Sequence, residues 1–252
     1  MKNSNESLIS MPGEWALKRA FGPALEELGE DLRRLYAAGR DKILTRAYQK
    51  VEDPNDGQRA NLRVTRDVLW NGAVAQEDIC TEYFSGLLAA SRSSDGRDDS
   101  AVEFVDAVKC IASRQLLLHY FIYSGLNQIL HQSQGNVNVQ QSSDIQGKQI
   151  YFSAIELDEL GIELSMDFNV LFRHGLLHAY KYDVYRQNQP FVYASANPTT
   201  YGVLLFAASH NKMHRWNEFS ETLFGPFPQI TLPQHFAPTL GELAKALGAD
   251  ST

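Results

Sequence analysis

The sequence predicts a mainly α protein, an N-terminal helical bundle followed by a C-terminal winged-helix-like α+β unit that carries a short β-hairpin. Three observations predict it. Apolar residues recur at spacings of three and four through most of the first half, the mark of helices with one buried face. Beyond residue 149 the period changes: Leu177 to Tyr185 alternates, and a second strand-like run, 191–196, returns across the polar turn 186–190. The order from residue 101 then reads helix, strand, helix, helix, strand, strand, helix, which is the order of a winged helix.

Taken along the chain, residues 1–18 are polar and read as a flexible tail. Leu25, Leu28, Leu32 and Leu35 or Tyr36 follow Pro23 at helical spacing, and Ile43, Ala47 and Val51 carry the stripe past Gly39. A break at Gly39 would leave two helices, and a colinear pair fits equally. Pro54, Asn55, Asp56 and Gly57 supply a turn. One helix then runs through Leu62, Val68 and Leu69 to Gly72, and another from about Gln76 with Ile79, Tyr83, Leu87 and Leu88 on one face. It stops in the loop 91–100, where Asp98, Asp99 or Ser100 is suited to cap the longest and most apolar helix, 101–131. That helix closes a helical domain, 19–131. The Gln-, Asn- and Ser-rich stretch 132–148 reads as an exposed loop at a domain boundary.

The unit 149–215 uses helix 101–131 as its first helix. Residues 149–153 form a strand, and Ser153 with Glu156 makes a capping box for the next helix. Ser165 caps a helix through Phe168, Leu171 and Phe172, and Gly175 sits where a left-handed C-cap belongs. Asn197 and Pro198 suit the N-cap and first position of a last helix. The Pro-rich tail, 216–252, is expected to pack across the surface before a short helix, 240–247.

Composition narrows the function. A 44% apolar content supplies a core, and a net charge of −7 gives no global field to draw nucleic acid or an anionic membrane. No window reaches 18 uncharged apolar residues, and the first residues lack the apolar run of a signal peptide. Cys80 and Cys110 lie in apolar helical surroundings, which fits reduced, buried thiols. A cytoplasmic protein without a membrane span is the expectation.

The chemistry-bearing patterns are few. His174 and His178 are four apart, as are His210 and His214, and form weak candidates for a metal site. Gly175 places the first pair on a helix end and a strand rather than one face, and neither pair carries the Glu of an H-E-x-x-H motif, so no metal or other cofactor is assigned. The Asp-rich loop 95–99 does not have EF-hand spacing and reads as a cap with local ion pairs. Lys42, Arg46 and Lys50 recur at i, i+4 and i+8, and with Arg59, Arg63 and Arg66 they form the one place where an anion or nucleic acid could be held. The helices spanning 154–174 carry Glu156, Asp158, Glu159, Glu163 and Asp167 against Arg173, so the winged-helix unit is not expected to bind DNA. No G-x-S-x-G, Walker A or G-x-G-x-x-G motif is present, and no catalytic residue is assigned.

The stretch YFSGLLAASRSSDGRDD, 83–99, followed by RQLLLHYFIY, 114–123, resembles the abortive-infection alpha (Abi-alpha) proteins of bacteria. FGPALEELGEDL, 21–32, and the Gly-Leu-Leu, hairpin, Thr-x-x-Gly pattern, 175–202, extend the resemblance over about two thirds of the chain. Stretch 132–146 and the Pro-rich tail lie outside the pattern. The resemblance implies a bacterial cytosolic protein associated with phage defence, with no catalytic residues to carry over. A non-enzymatic protein acting through a protein partner or homo-oligomer is the reading. A nucleic-acid-binding regulator using the basic row and a metal-dependent hydrolase are the alternatives.

Overall fold

Helix α3 (Asp78–Ala90) is buried on every side, with each residue from Ile79 to Ala89 inside the protein. A helix of that kind needs neighbours all round. It has them in α1 (Glu14–Lys50), α2 (Leu62–Gly72), α4 (Val102–Lys109), α5 (Ser113–Ser133) and α9 (Thr200–Ser209). The structure, a computed structural model, describes residues 14–133, 137–186 and 189–249. It is a mixed α+β protein in which helix predominates, and no described helix is long and apolar enough to cross a membrane.

Two small antiparallel sheets complete the described elements. In the first, β1 (Arg59–Ala60) pairs with β2 (Arg92–Ser93) and ties the start of α2 to the exit of α3. The second follows α5 and the short α6 (Ser142–Gln146). It takes in β3 (Ile150–Ser153), β4 (Leu177–Tyr185), β5 (Phe191–Pro198) and β6 (Phe236–Ala237), in the order β4-β5-β3-β6. Helices α7 (Ala154–Glu159) and α8 (Leu164–Arg173) lie between β3 and β4 in the chain; a 3-10 turn (Met213–Glu218) and α10 (Leu240–Ala246) flank the tail. One apolar cluster runs from Ile43 on α1 to Phe227 in the tail.

Local sequence explains several junctions. The corner from α8 into β4 is a Schellman motif: Gly175 takes φ +69°, Leu176 N–H reaches the Leu171 carbonyl, and Gly175 N–H reaches that of Phe172. Leu171 and Leu176, both buried, supply its apolar contact. Ser153 caps α7 by accepting from Glu156 N–H.

Other expectations are corrected. Residues 14–18 belong to α1 rather than to a tail, while residues 1–13 and the side chains of Leu25, Leu28 and Leu32 lie outside the described residues. Gly39 does not break α1; a Cβ there would lie 1.9 Å from the Ala73 carbonyl oxygen, so its small size admits the end of α2. The helix expected over 101–131 is two helices. The Cys110 and Ile111 N–H groups close a tight final turn on Ala107 and Val108, and Gln115 Oε1 accepts from Ala112 N–H at 2.6 Å in place of a helical carbonyl.

No side chain of Asp98, Asp99 or Ser100 caps α4; its N-cap is Ala101, and Asp98 accepts from Ser100 N–H instead. The N-cap of α8 is Glu163, not Ser165, and Asp167 Oδ2 accepts from its N–H at 2.8 Å. Pro198 ends β5 and Thr199 caps α9. The 132–148 stretch contains α6 and buries Val137, Val139 and Ile145, while 134–136 and turn residues 187–188 lie outside the described residues. The tail does more than cross the surface: Phe219, Phe224 and Phe227 are buried, and β6 extends the sheet. Cys110 is exposed at the end of α4, whereas Cys80 is buried.

The backbones of α3 and α9 touch at Gly86, where an added Cβ would sit 1.9 Å from the Ser209 carbonyl oxygen. Gly86→Ala is expected to lower stability in urea titrations by about 1–3 kcal/mol or more, because backbone must move to admit it. Gly241→Ala on α10, with nothing within 4 Å, is the control, expected to change stability by less than about 1 kcal/mol in the favourable direction.

Candidate functional site

The basic row on α1 faces α3, and the two helices match step for step. Lys42 Nζ lies 2.6 Å from Asp78, and four residues on in each helix Arg46 Nε lies 2.8 Å from Glu82. Lys50 reaches the other oxygen of the same carboxylate, also at 2.8 Å. The Glu82 side chain is 1% exposed, so a buried charge is neutralised by two cations of one helix. Lys50 Nζ also donates to the backbone carbonyls of Glu82 and Ser209, each at 2.7 Å, and stands 4.4 Å from the Phe227 ring centre. Burial pulls its pKa down to about 8 against the attraction of Glu82. Three acceptors take its three protons, so it is placed as a structural ammonium and not as a nucleophile.

The remaining cations of the group do not join this row. Arg59 stands exposed on β1, Arg63 exposed on α2, and Arg66 pairs with Asp67 at 2.7 Å. Reversing Arg46 would set a second carboxylate against buried Glu82, so that substitution probes folding rather than anion binding.

The histidine pairs do not converge. His174 is the C-cap of α8 and His178 lies in β4, both exposed, with Gly175 between them. His210 is the C-cap of α9, Asn211 takes φ 56°, and His214 lies exposed in the 3-10 turn. Both four-residue spacings therefore straddle a helix end. Among the described residues no group of three or more His, Cys, Asp or Glu is placed to hold a metal ion. His210 and His214 do line a cleft of about 830 Å³, together with Asp56, Asp98, Glu103 and Trp216. Two of its carboxylates serve the surrounding loops: Asp56 binds Arg92 and Gln58 N–H, and Asp98 binds Ser100 N–H. Asp95 likewise accepts from Ser93 and Arg97 N–H, folding the acidic loop on itself.

Two histidines stand out, buried His119 and half-buried His210. Tyr83 Oη bonds His119 Nδ1, while His119 Nε2 has no aligned hydrogen bond among the described residues. Burial pushes the His119 pKa down to about 3, against a smaller opposing pull from the Gly202 backbone. His210 has Nδ1 2.8 Å from the Phe206 carbonyl and Nε2 3.2 Å from that of Gly225. Protonation would satisfy both, but burial first and the Lys50 ammonium second drive its pKa to about 3. Burial also raises the Cys80 thiol to about 11, which makes it unreactive.

The surface of a different character is that of α8 and the β4–β5 hairpin. Phe168 and Phe172 pack on Tyr180, and Asn169 Nδ2 donates to Tyr180 Oη at 3.2 Å, fixing helix against strand. Tyr182 and Val184 alternate onto the same side as Tyr180, and Val192 stands opposite Val184. Phe172, Tyr182, Val184 and Val192 are between 39% and 50% exposed, which gives this face large apolar side chains in contact with water, while Met166, 51% exposed, lies beside Arg114 of α5.

Its charges are mostly engaged. Asp167 is buried against Arg114 at 2.6 Å and Gln115 at 3.1 Å, Glu163 pairs with Arg114, and Glu156 accepts from His235 N–H. Lys181 pairs with Asp183 at 2.6 Å, leaving Asp158, Glu159, Arg173 and Arg186 exposed. Alternation made the strand legible in the sequence, but its exposure was not, because an apolar residue carries no local sign of which partner covers it. Comparison with known proteins gives no match, neither to a family model nor to a curated protein nor to a solved structure.

The histidines predict a pH dependence. With pKa near 3 folded and an ordinary value of 6.5, both bind more protons unfolded between those limits, so stability is complete above pH 6.5 and falls as pH falls. Each contributes a slope of about 1.4 kcal/mol per pH unit inside the window. Urea midpoints measured from pH 6.5 to 5, above most carboxylate titration, should fall for the native chain and fall less for His210→Gln; equal slopes would contradict a neutral His210.

Proposed function

We propose that this chain is an interaction protein that binds a protein partner through the face built by α8 and the β4–β5 hairpin. The observation that carries the reading is the half-exposed set Phe172, Tyr182, Val184 and Val192 on that face. The order α5, α6, β3, α7, α8, β4, β5, with the short α6 inserted before the first strand and β5 lying between β4 and β3, supports a winged-helix reading of the unit. The mutual packing of α1, α2 and α3 supports a helical bundle before it. On that reading α8 occupies the recognition position and the hairpin is the wing.

A nucleic-acid surface needs free cations for phosphate. Here Lys181 is held by Asp183, and exposed Arg173 and Arg186 are offset by Asp158 and Glu159. Apolar anchors with few free charges favour a protein partner. The resemblance of 83–99 and 114–123 to Abi-alpha proteins adds the setting: phage defence in a bacterial cytoplasm, exerted through that partner.

Phage challenge of cells with and without the gene and its neighbours tests the role, and equal plaque counts would remove the defence reading. The face is tested by Phe172→Asp with Val192→Asp, which should weaken partner binding about thirtyfold or more with the melting temperature little changed. Undiminished binding by the folded double variant would move the interface elsewhere.

A further inference from the structure

The four-stranded sheet has two edges of unequal kind. Strand β6 is two residues long and is followed by Pro238, which cannot donate to a ladder. At the other edge β4 is nine residues long, and none of the described strands pairs with its outer side. Lys181, Tyr182, Asp183 and Val184 are all exposed, as expected of a strand open on its edge. Two of the usual protections are missing from this stretch, since the bulge lies at Leu177 and Ala179 and β4 contains no proline, and the charges it does carry, Lys181 and Asp183, are of opposite sign.

Hydrogen bonding sets the phase of the edge. Val184 N–H turns to Asp183 Oδ1 at 2.7 Å, so it points away from β5. In an antiparallel ladder alternate residues share a direction, and Tyr180 and Tyr182 therefore also aim their peptide groups outward. The order Tyr180, Lys181, Tyr182, Asp183, Val184 is complementary to itself about its centre.

We propose that two copies of this chain pair through β4, antiparallel about a two-fold axis at Tyr182. In that register Tyr182 meets its own copy, and Tyr180 meets Val184 of the second copy, an aromatic against a β-branched residue. Lys181 meets Asp183 of the second copy, and the symmetry makes this contact twice. These charges fall at the non-hydrogen-bonded positions, where side chains approach most closely.

Charge also excludes the neighbouring registers. An axis at Lys181 sets lysine against lysine, and one at Asp183 sets aspartate against aspartate. Axes at Tyr180 or Val184 give no opposed charge pair. The Lys181–Asp183 ion pair within the strand, 2.6 Å long, would merge with its symmetry mate into a four-charge cluster on the axis. Pairing joins two four-stranded sheets into one and leaves Phe172 of α8 and Val192 of β5 free; Tyr182 and Val184 border both surfaces, so variants at Phe172 and Val192 test the partner reading and variants at Lys181 and Asp183 test the pairing separately.

Light scattering over a concentration series tests it. The native chain is expected to dimerise. Lys181→Asp alone and Asp183→Lys alone each place like charges opposite one another twice and should weaken dimerisation about tenfold or more. Mixing these two variants restores opposite charges at every contact and should restore a dimer, as should both changes made in one chain. Val184→Pro removes an outward N–H and should also give monomer. A monomeric native chain at all concentrations would overturn the proposal. So would single-charge variants as dimeric as the native chain, or a mixture that stays monomeric, and the mixing result controls for misfolding of either variant.

Discussion

The buried carboxylate of Glu82 is the constraint around which the helices are arranged. A charge in the centre of a fully buried helix is strongly unfavourable unless cations reach it without bringing water. Arg46 and Lys50 do so from α1, which must therefore lie along α3 in one register, four residues against four, with Lys42 and Asp78 repeating the match at the surface. Lys50 extends the constraint to α9 through the Ser209 carbonyl and to the tail through the ring of Phe227. A single ammonium thus links three parts of the chain distant in sequence.

Helix α5 fixes the second half by a comparable device, in which neutral groups join the Arg114–Asp167 ion pair. Gln115 holds Asp167 at the start of α8, and Tyr123 donates to the Leu176 carbonyl and accepts from Thr199 N–H on either side of the hairpin. Asn127 binds the carbonyls of Phe219 and Thr222 and the N–H of Phe224, and Tyr120 accepts from Phe227 N–H. Apart from the Gln115–Asp167 bond between side chains, each satisfies a backbone group that would otherwise be left unpaired. The irregular tail can enter the core because this helix supplies its partners, and the aromatic side chains it carries then complete the packing around Phe206 and His210. The sheet rests on this framework, with its longest strand at the outer edge and an apolar face beside α8.

Much of the local structure was legible in the residues. Ser153 and Glu156 marked a helix start, Gly175 marked a helix end, and alternation from Leu177 marked a strand, because each depends on backbone geometry within a few residues. The errors share a cause as well. Gly39 looked like a helix break because glycine does both that and close packing, and only the Ala73 carbonyl beside it distinguishes them. Residues 101–131 looked like one helix because the apolar pattern continues across a break that the Gln115 side chain stabilises.

The sequence by itself determined the periods, the reversal at Gly175, the hairpin and the pseudo-symmetric order of β4, since these are properties of neighbouring residues. Tertiary structure alone decided which charges are available. The row Lys42, Arg46 and Lys50 has the spacing of an anion site, yet its partners Asp78 and Glu82 lie on another helix, and no local pattern records that pairing. It also decided that Phe219, Phe224 and Phe227 belong to the core while Phe172 and Tyr182 meet water. Burial is a relation between distant segments, and the hydrophobicity of a residue states only that it favours burial, not which neighbours provide it.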